Sequence, residues 1–87
     1  MDNKAIANIL YETADLLEID GQDSFRIRSY RNAAQAIESH AHQIKDIIGN
    51  PKQVLAIPGV GKGMLTNLQE LFNTGKLAVQ AELLAKY

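Results

Sequence analysis

Apolar residues recur along this chain at three- and four-residue steps, the spacing that turns one side of an α-helix toward a core. Ile6, Ile9, Leu10, Thr13, Leu16 and Leu17 form one such stripe, with Asp2 or Asn3 placed to cap its start and Gly21 suited to the position after its end. Asp23 or Ser24 opens a second helix whose buried row is Ile27, Tyr30, Ala34, Ile37 and Ala41. Gln43 to Ile48 make a short third helix with Ile44, Ile47 and Ile48 turned inward, stopped by Gly49. Asn50 and Pro51 then read as the N-cap and first-turn proline of a short helix that carries Val54 and Leu55 and must end before Pro58. Met64, Leu65, Leu68, Leu71 and Phe72 mark a helix of about three turns ended by Asn73-Thr74-Gly75. Leu77, Val79, Leu83 and Leu84 close the core from a last helix. The expected fold is all-α: one domain over residues 1–87, a compact bundle of about five short helices.

The stretch Ile57-Pro58-Gly59-Val60-Gly61-Lys62-Gly63 lies between two of these helices and predicts a tight hairpin. Gly59 and Gly61 are expected to supply positive φ angles and close backbone approach. The first N–H groups of the following helix have no partner within it and carry the positive end of its dipole, so the turn is a candidate anion site. A nucleic-acid phosphate is the natural anion for it. The plainer alternative is a glycine-rich corner that only packs two helices.

Charge changes this picture more than composition does. Eighty-seven residues make one small domain, 46% hydrophobic, without cysteine, so disulfides and thiolate metal sites are excluded. Met1-Asp2-Asn3-Lys4 lacks the features of a signal peptide and no apolar run is long enough for a membrane, which makes a cytoplasmic location the expectation. The net charge of −1 argues against a strongly basic nucleic-acid protein. It is unevenly spread, however: residues 1–23 hold six acids (Asp2, Glu12, Asp15, Glu18, Asp20, Asp23) against Lys4, and residues 24–87 hold four acids against eight bases, so −5 faces +4. Glu12, Asp15 and Glu18 follow one another on the flank away from the first apolar stripe and read as a solvated face. Arg26, Arg28 and Arg31, with Phe25 and Tyr30 among them, form either a phosphate clamp or ordinary solvated arginines over core aromatics. Helical rotation puts Arg26 near one edge of the buried row and Arg31 near the other. His40 and His42 have no third ligand nearby and read as loop residues.

The hairpin spacing apolar-Pro-Gly-apolar-Gly-Lys-Gly resembles the helix-hairpin-helix motif of DNA repair proteins. Asp23-Ser24-Phe25-Arg26-Ile27-Arg28-Ser29-Tyr30-Arg31-Asn32-Ala33-Ala34 resembles the second helix of the N-terminal domain of family X DNA polymerases, and residues 57–77 resemble its hairpin. The likeness covers essentially the whole chain. It implies sequence-independent binding of DNA backbone, gapped or 5′-phosphorylated, through the amides of Gly59, Val60, Gly61, Lys62 and Gly63, with Arg26, Tyr30 and Arg31 lining a 5′-phosphate pocket. It also implies other repair proteins as partners. It requires no cofactor, but aligns the carbonyls of Leu55, Ile57 and Val60 with those that hold K⁺ or Na⁺ in the family. In the polymerase beta branch the same domain is a 5′-deoxyribose-phosphate lyase using a lysine Schiff base. Here that position is Asn67, whose amide nitrogen cannot form an imine, and two further basic positions are Gly63 and Val79. The expectation is therefore a binding module, leaning away from an enzyme, with the lyase and a helical protein-interaction adaptor as alternatives. The polymerase palm is absent, and the chain is either a freestanding relative of the domain or a piece of a longer polymerase.

Overall fold

The computed structural model describes residues 1–87 and contains six helices: α1 (Asn3–Ile19), α2 (Ser24–Glu38), α3 (Ile44–Ile47), α4 (Pro51–Leu55), α5 (Lys62–Thr74) and α6 (Ala78–Lys86). The all-helical expectation holds, with one helix more than about five. α3 and α4 are single turns kept apart by Gly49 and Asn50, and Pro51 at the start of α4 has no N–H with which to join them. No helix is long and apolar enough to cross a membrane.

Capping residues set the longer helices. Asp2 Oδ1 accepts from the Ala5 N–H at 2.8 Å and starts α1, and Asp23 Oδ1 accepts from the Phe25 N–H at 3.2 Å and starts α2. Gly21 at φ 73° turns the chain between them. α2 stops earlier than the apolar spacing suggests: it ends at Glu38, so Ala41 is exposed rather than part of the buried row. The Ser39 hydroxyl donates to the Gln35 carbonyl at 2.8 Å at that end.

Twenty buried apolar residues form one cluster, drawn from all six helices and the turns between them. Ile6, Ala7, Leu10, Ala14 and Leu17 of α1 face Ile27, Tyr30, Ala33, Ala34 and Ile37 of α2, whose small alanines let the two long helices approach closely. These two helices share the most extensive contact in the molecule. Thr13 lies in this core with its hydroxyl donating to the Ile9 carbonyl at 2.7 Å, so its burial leaves no polar atom unpaired. Of the four residues expected to close the core from the last helix, Leu77 and Leu83 are buried and Val79 is half-buried, but Leu84 is 57% exposed.

Asn3 has a role that its sequence position does not suggest. Almost fully buried, it donates through Nδ2 to the His42 carbonyl (2.8 Å) and accepts through Oδ1 from the Ile44 N–H (2.7 Å). Gln43 Oε1 in turn accepts from the Asn3 N–H at 3.0 Å. Asn3 thus satisfies the start of α3, which has no cap of its own, and pins the 40–43 connection to α1. His40 and His42 lie in that connection with ring centroids 5.9 Å apart, and no group of three metal-ligating side chains occurs.

Candidate nucleic-acid interface

The hairpin is built on a buried triplet. Val54, Ile57 and Val60 point into the core, while Pro58, Gly59, Gly61, Lys62 and Gly63 remain exposed. The Val60 N–H donates to the Ile57 carbonyl at 3.0 Å across Pro58 and Gly59, and Gly59 has φ 95°, the proline-glycine arrangement of a type II turn. Gly59 also sits hard against α2: a Cβ there would meet the Asn32 carbonyl oxygen at 3.3 Å and the Ala36 Cβ at 3.7 Å. Gly61 differs from expectation. Its φ is −95° with ψ −174°, ordinary extended backbone, and a Cβ there would meet nothing within 4 Å. Only Gly59 requires both the positive φ and the close approach.

Gly61 instead serves as the N-cap of α5, and it has no side chain with which to cap. The first backbone bond of that helix runs from the Leu65 N–H to the Gly61 carbonyl at 2.9 Å, so the amides of Lys62, Gly63 and Met64 have no protein acceptor. Open donors, the positive end of the helix dipole and the exposed Lys62 ammonium therefore coincide. The Thr66 hydroxyl turns back to the Lys62 carbonyl (3.1 Å) and leaves this end clear.

α2 contributes to this side through Tyr30. Tyr30 is buried, and its hydroxyl accepts from the Asn67 side-chain amide of α5 at 3.0 Å, leaving the tyrosine O–H free to donate. Asn67 also lies 3.9 Å from the Met64 sulfur. Arg26, one turn before Tyr30, is exposed and held only by a long contact of 3.5 Å from its Nη1 to Gln22 Oε1. The same Gln22 donates through Nε2 to Asp20 Oδ2 at 2.7 Å.

Arg31 does not join this group. Rotation of about 100° per residue separates it from Arg26 by about 140°, which turns it to the α1 side of α2. There its Nη2 donates to Glu18 Oε2 at 2.7 Å and Asp15 Oδ1 at 3.2 Å. The Glu18 and Asp15 carboxylates hold its guanidinium pKa above the ordinary value. Two of the three acids read as a solvated face, Asp15 and Glu18, are therefore ion partners as well as solvated, while Glu12 accepts only from the Gln80 side chain at 3.2 Å.

A profile of helix-hairpin-helix domains matches residues 1–77. The chain belongs to this family. Over 76 residues, 87% of its length, it is 26% identical to the DNA polymerase/3′-5′ exonuclease PolX of Bacillus subtilis (strain 168), of which the match covers 13%. The chain thus corresponds to a small part of that relative, and both findings agree with the resemblance to family X polymerases. In this helix-hairpin-helix domain Gly59, Val60, Gly61, Lys62 and Gly63 form one continuous exposed turn around the buried Val60 side chain, and Tyr30 is tied to the helix that follows it. Arg31 stands apart. Arg28, one of the three arginines singled out in the sequence, lines a groove of about 340 Å³ with Glu18, Ser24, Ile27 and Arg31, and it is the placing of Glu18 against these arginines that sequence reasoning missed. The signal was present: α1 and α2 run back along each other across the short turn 20–23, so acids ending α1 must meet bases beginning α2.

Proposed function

We propose that this helix-hairpin-helix domain binds the sugar-phosphate backbone of DNA without reading base sequence, with a preference for gapped DNA bearing a 5′-phosphate. The observation that carries this reading is the uncapped start of α5: the amides of Lys62, Gly63 and Met64 have no protein acceptor and open at a turn packed closely against α2 at Gly59. Arg26 and the Tyr30 hydroxyl supply donors for a terminal phosphate. We extend the reading to a role in DNA repair with other repair proteins as partners, which is what the resemblance of the hairpin and of residues 23–34 to family X polymerases implies.

The amide of Asn67 is committed to Tyr30 and offers no nucleophile, which favours binding over lyase chemistry. A monovalent cation, K⁺ or Na⁺, would supply a further point of attraction for a phosphate. The Leu55 and Val60 carbonyls accept no backbone hydrogen bond, and Ile57, which accepts one from Val60, keeps a second lone pair. Neutral oxygens of this kind suit such a hard cation.

An NMR titration with gapped, 5′-phosphorylated DNA tests the reading. The amides of residues 59–64 should shift first. With about three to five phosphates neutralised, log K should fall with log salt at a slope of roughly −3 to −4. Arg26→Ala should remove mainly the preference for a 5′-phosphate over a 5′-hydroxyl end. Absence of binding at low salt, or binding indifferent to salt, would sink the proposal.

A further inference from the structure

The α1 side of α2 carries phosphate-type donors that the hairpin does not use. Ser24, Arg28 and Arg31 follow at steps of four and three residues, share one face of α2, and line a groove of about 340 Å³ together with Ile27 and Glu18. Arg28 forms no ion pair. Arg31 is occupied: Glu18 at 2.7 Å and Asp15 at 3.2 Å both accept from one nitrogen of its guanidinium.

We propose that this groove is a second phosphate-binding site, closed in the free protein because the Asp15 and Glu18 carboxylates stand where a phosphate would. The ligand is a backbone phosphodiester of nucleic acid. Its oxygens would take the Arg28 fork and the Ser24 hydroxyl, and would displace the two carboxylates from Arg31. The displacement is easy because every member of the latch is open to water, with side-chain exposures of 42% for Arg31, 69% for Asp15 and 58% for Glu18. Exposed ion pairs contribute little to stability and are screened by salt, so a multiply contacted phosphate competes with them effectively. The acids then lower the affinity for any single phosphate while leaving the groove available to a backbone already anchored at the hairpin. The inference rests on the DNA-binding reading proposed above.

The test is fluorescence anisotropy with gapped, 5′-phosphorylated DNA over a salt series, for the parent, Glu18→Gln, and Asp15→Asn/Glu18→Gln. The double variant should bind roughly three- to tenfold more tightly at low salt, and its slope of log K against log salt should steepen by about 1 to 2 as further phosphates are neutralised. Glu18→Gln alone should give part of that gain. The gain should vanish when Arg28→Ala and Arg31→Ala are added to the double variant. A control with the same charge change elsewhere, Glu12→Gln/Glu82→Gln, should shift affinity less and leave the slope alone. An equal gain and an equal steepening from that control, or a gain that survives loss of both arginines, would overturn the groove while leaving the hairpin reading intact. No binding by parent or variants at low salt overturns both.

Discussion

The two flanks of α2 present the same kind of ligand chemistry in opposite conditions. On the hairpin flank the donors are backbone amides at the start of α5, held by the Gly59 turn and left without acceptors. On the α1 flank the donors are guanidinium groups, and one of them is already taken by two carboxylates. The difference follows from what fixes each donor. An amide at a helix start points where the backbone sends it and no neighbouring side chain has reached it, whereas a flexible arginine finds any acid within its radius. In a protein of net charge −1, an anion site built from backbone is thus the one that stays open.

The comparison depends on Gly59 most heavily, and substitution there should produce the largest effect. Alanine at Gly59 would have to hold φ 95° and place its Cβ 3.3 Å from the Asn32 carbonyl oxygen, so Gly59→Ala should destabilise the fold by about 2 to 3 kcal/mol. Gly61→Ala, with extended backbone and open space, should cost about 1 kcal/mol or less, chiefly as a poorer cap. Urea denaturation of the two variants checks this order. Equal losses would mean that the turn is not anchored to α2 through Gly59.

The middle-sized effect concerns the tie between α2 and α5. The Asn67 amide and the Tyr30 hydroxyl meet at 3.0 Å in partly buried surroundings. Asn67→Ala and Tyr30→Phe should each cost about 1 kcal/mol, and the double variant should cost less than their sum by about 0.5 to 1 kcal/mol. Strict additivity in a double-mutant cycle would show that the bond contributes nothing and that Tyr30 is held by packing alone.

These pairs also show how far the sequence could be read. The hairpin was legible because everything that makes it is local: Pro58 and Gly59 form the turn, and Val54, Ile57 and Val60 are spaced to anchor it. The stripes of α1, α2 and α5 were legible for the same reason, since helical period is a property of neighbours. What was not legible depends on which helix packs on which side. Arg26 and Arg31 were placed at opposite edges of the buried row, yet only the positions of α1 and α5 decide that Tyr30 meets Asn67 while Arg31 meets Asp15 and Glu18. Phe25, grouped with Tyr30 as an aromatic either of a phosphate clamp or of the core, is not a core residue: it is 71% exposed because it falls on the outer side of the first turn of α2. Gly61 illustrates a different limit: glycine spacing revealed the turn but not which of its glycines carries the positive φ.

The smallest expected effect is a pH dependence at the far end of the α1–α2 turn, where α6 returns to the chain reversal. Asp20 accepts from Gln22 Nε2 at 2.7 Å, from the Tyr87 O–H at 2.8 Å and from Lys86 Nζ at 3.4 Å. These hydrogen bonds, that from Gln22 first, hold its carboxyl below the ordinary value of 3.8. Between the folded value and 3.8 the unfolded chain binds more protons, so this contribution is present above pH 3.8 and is lost as pH falls through the folded value. Tyr87 behaves in the opposite sense: its bond to Asp20 raises its pKa above 10.0, so its share is present below pH 10.0 and is lost as pH rises through the elevated value. Tyr87→Phe should therefore remove only this bond's small share of any alkaline decline in Tm and reduce Asp20's share of the acid decline, the rest of which is carried by Gln22. Asp20→Asn should remove the whole of Asp20's share of the acid decline as well. Since Gln22 links Asp20 to Arg26, the same variants ask whether the turn steadies the arginine on the hairpin flank. Unchanged Arg26 side-chain NMR signals in Asp20→Asn would show that the two flanks are independent there.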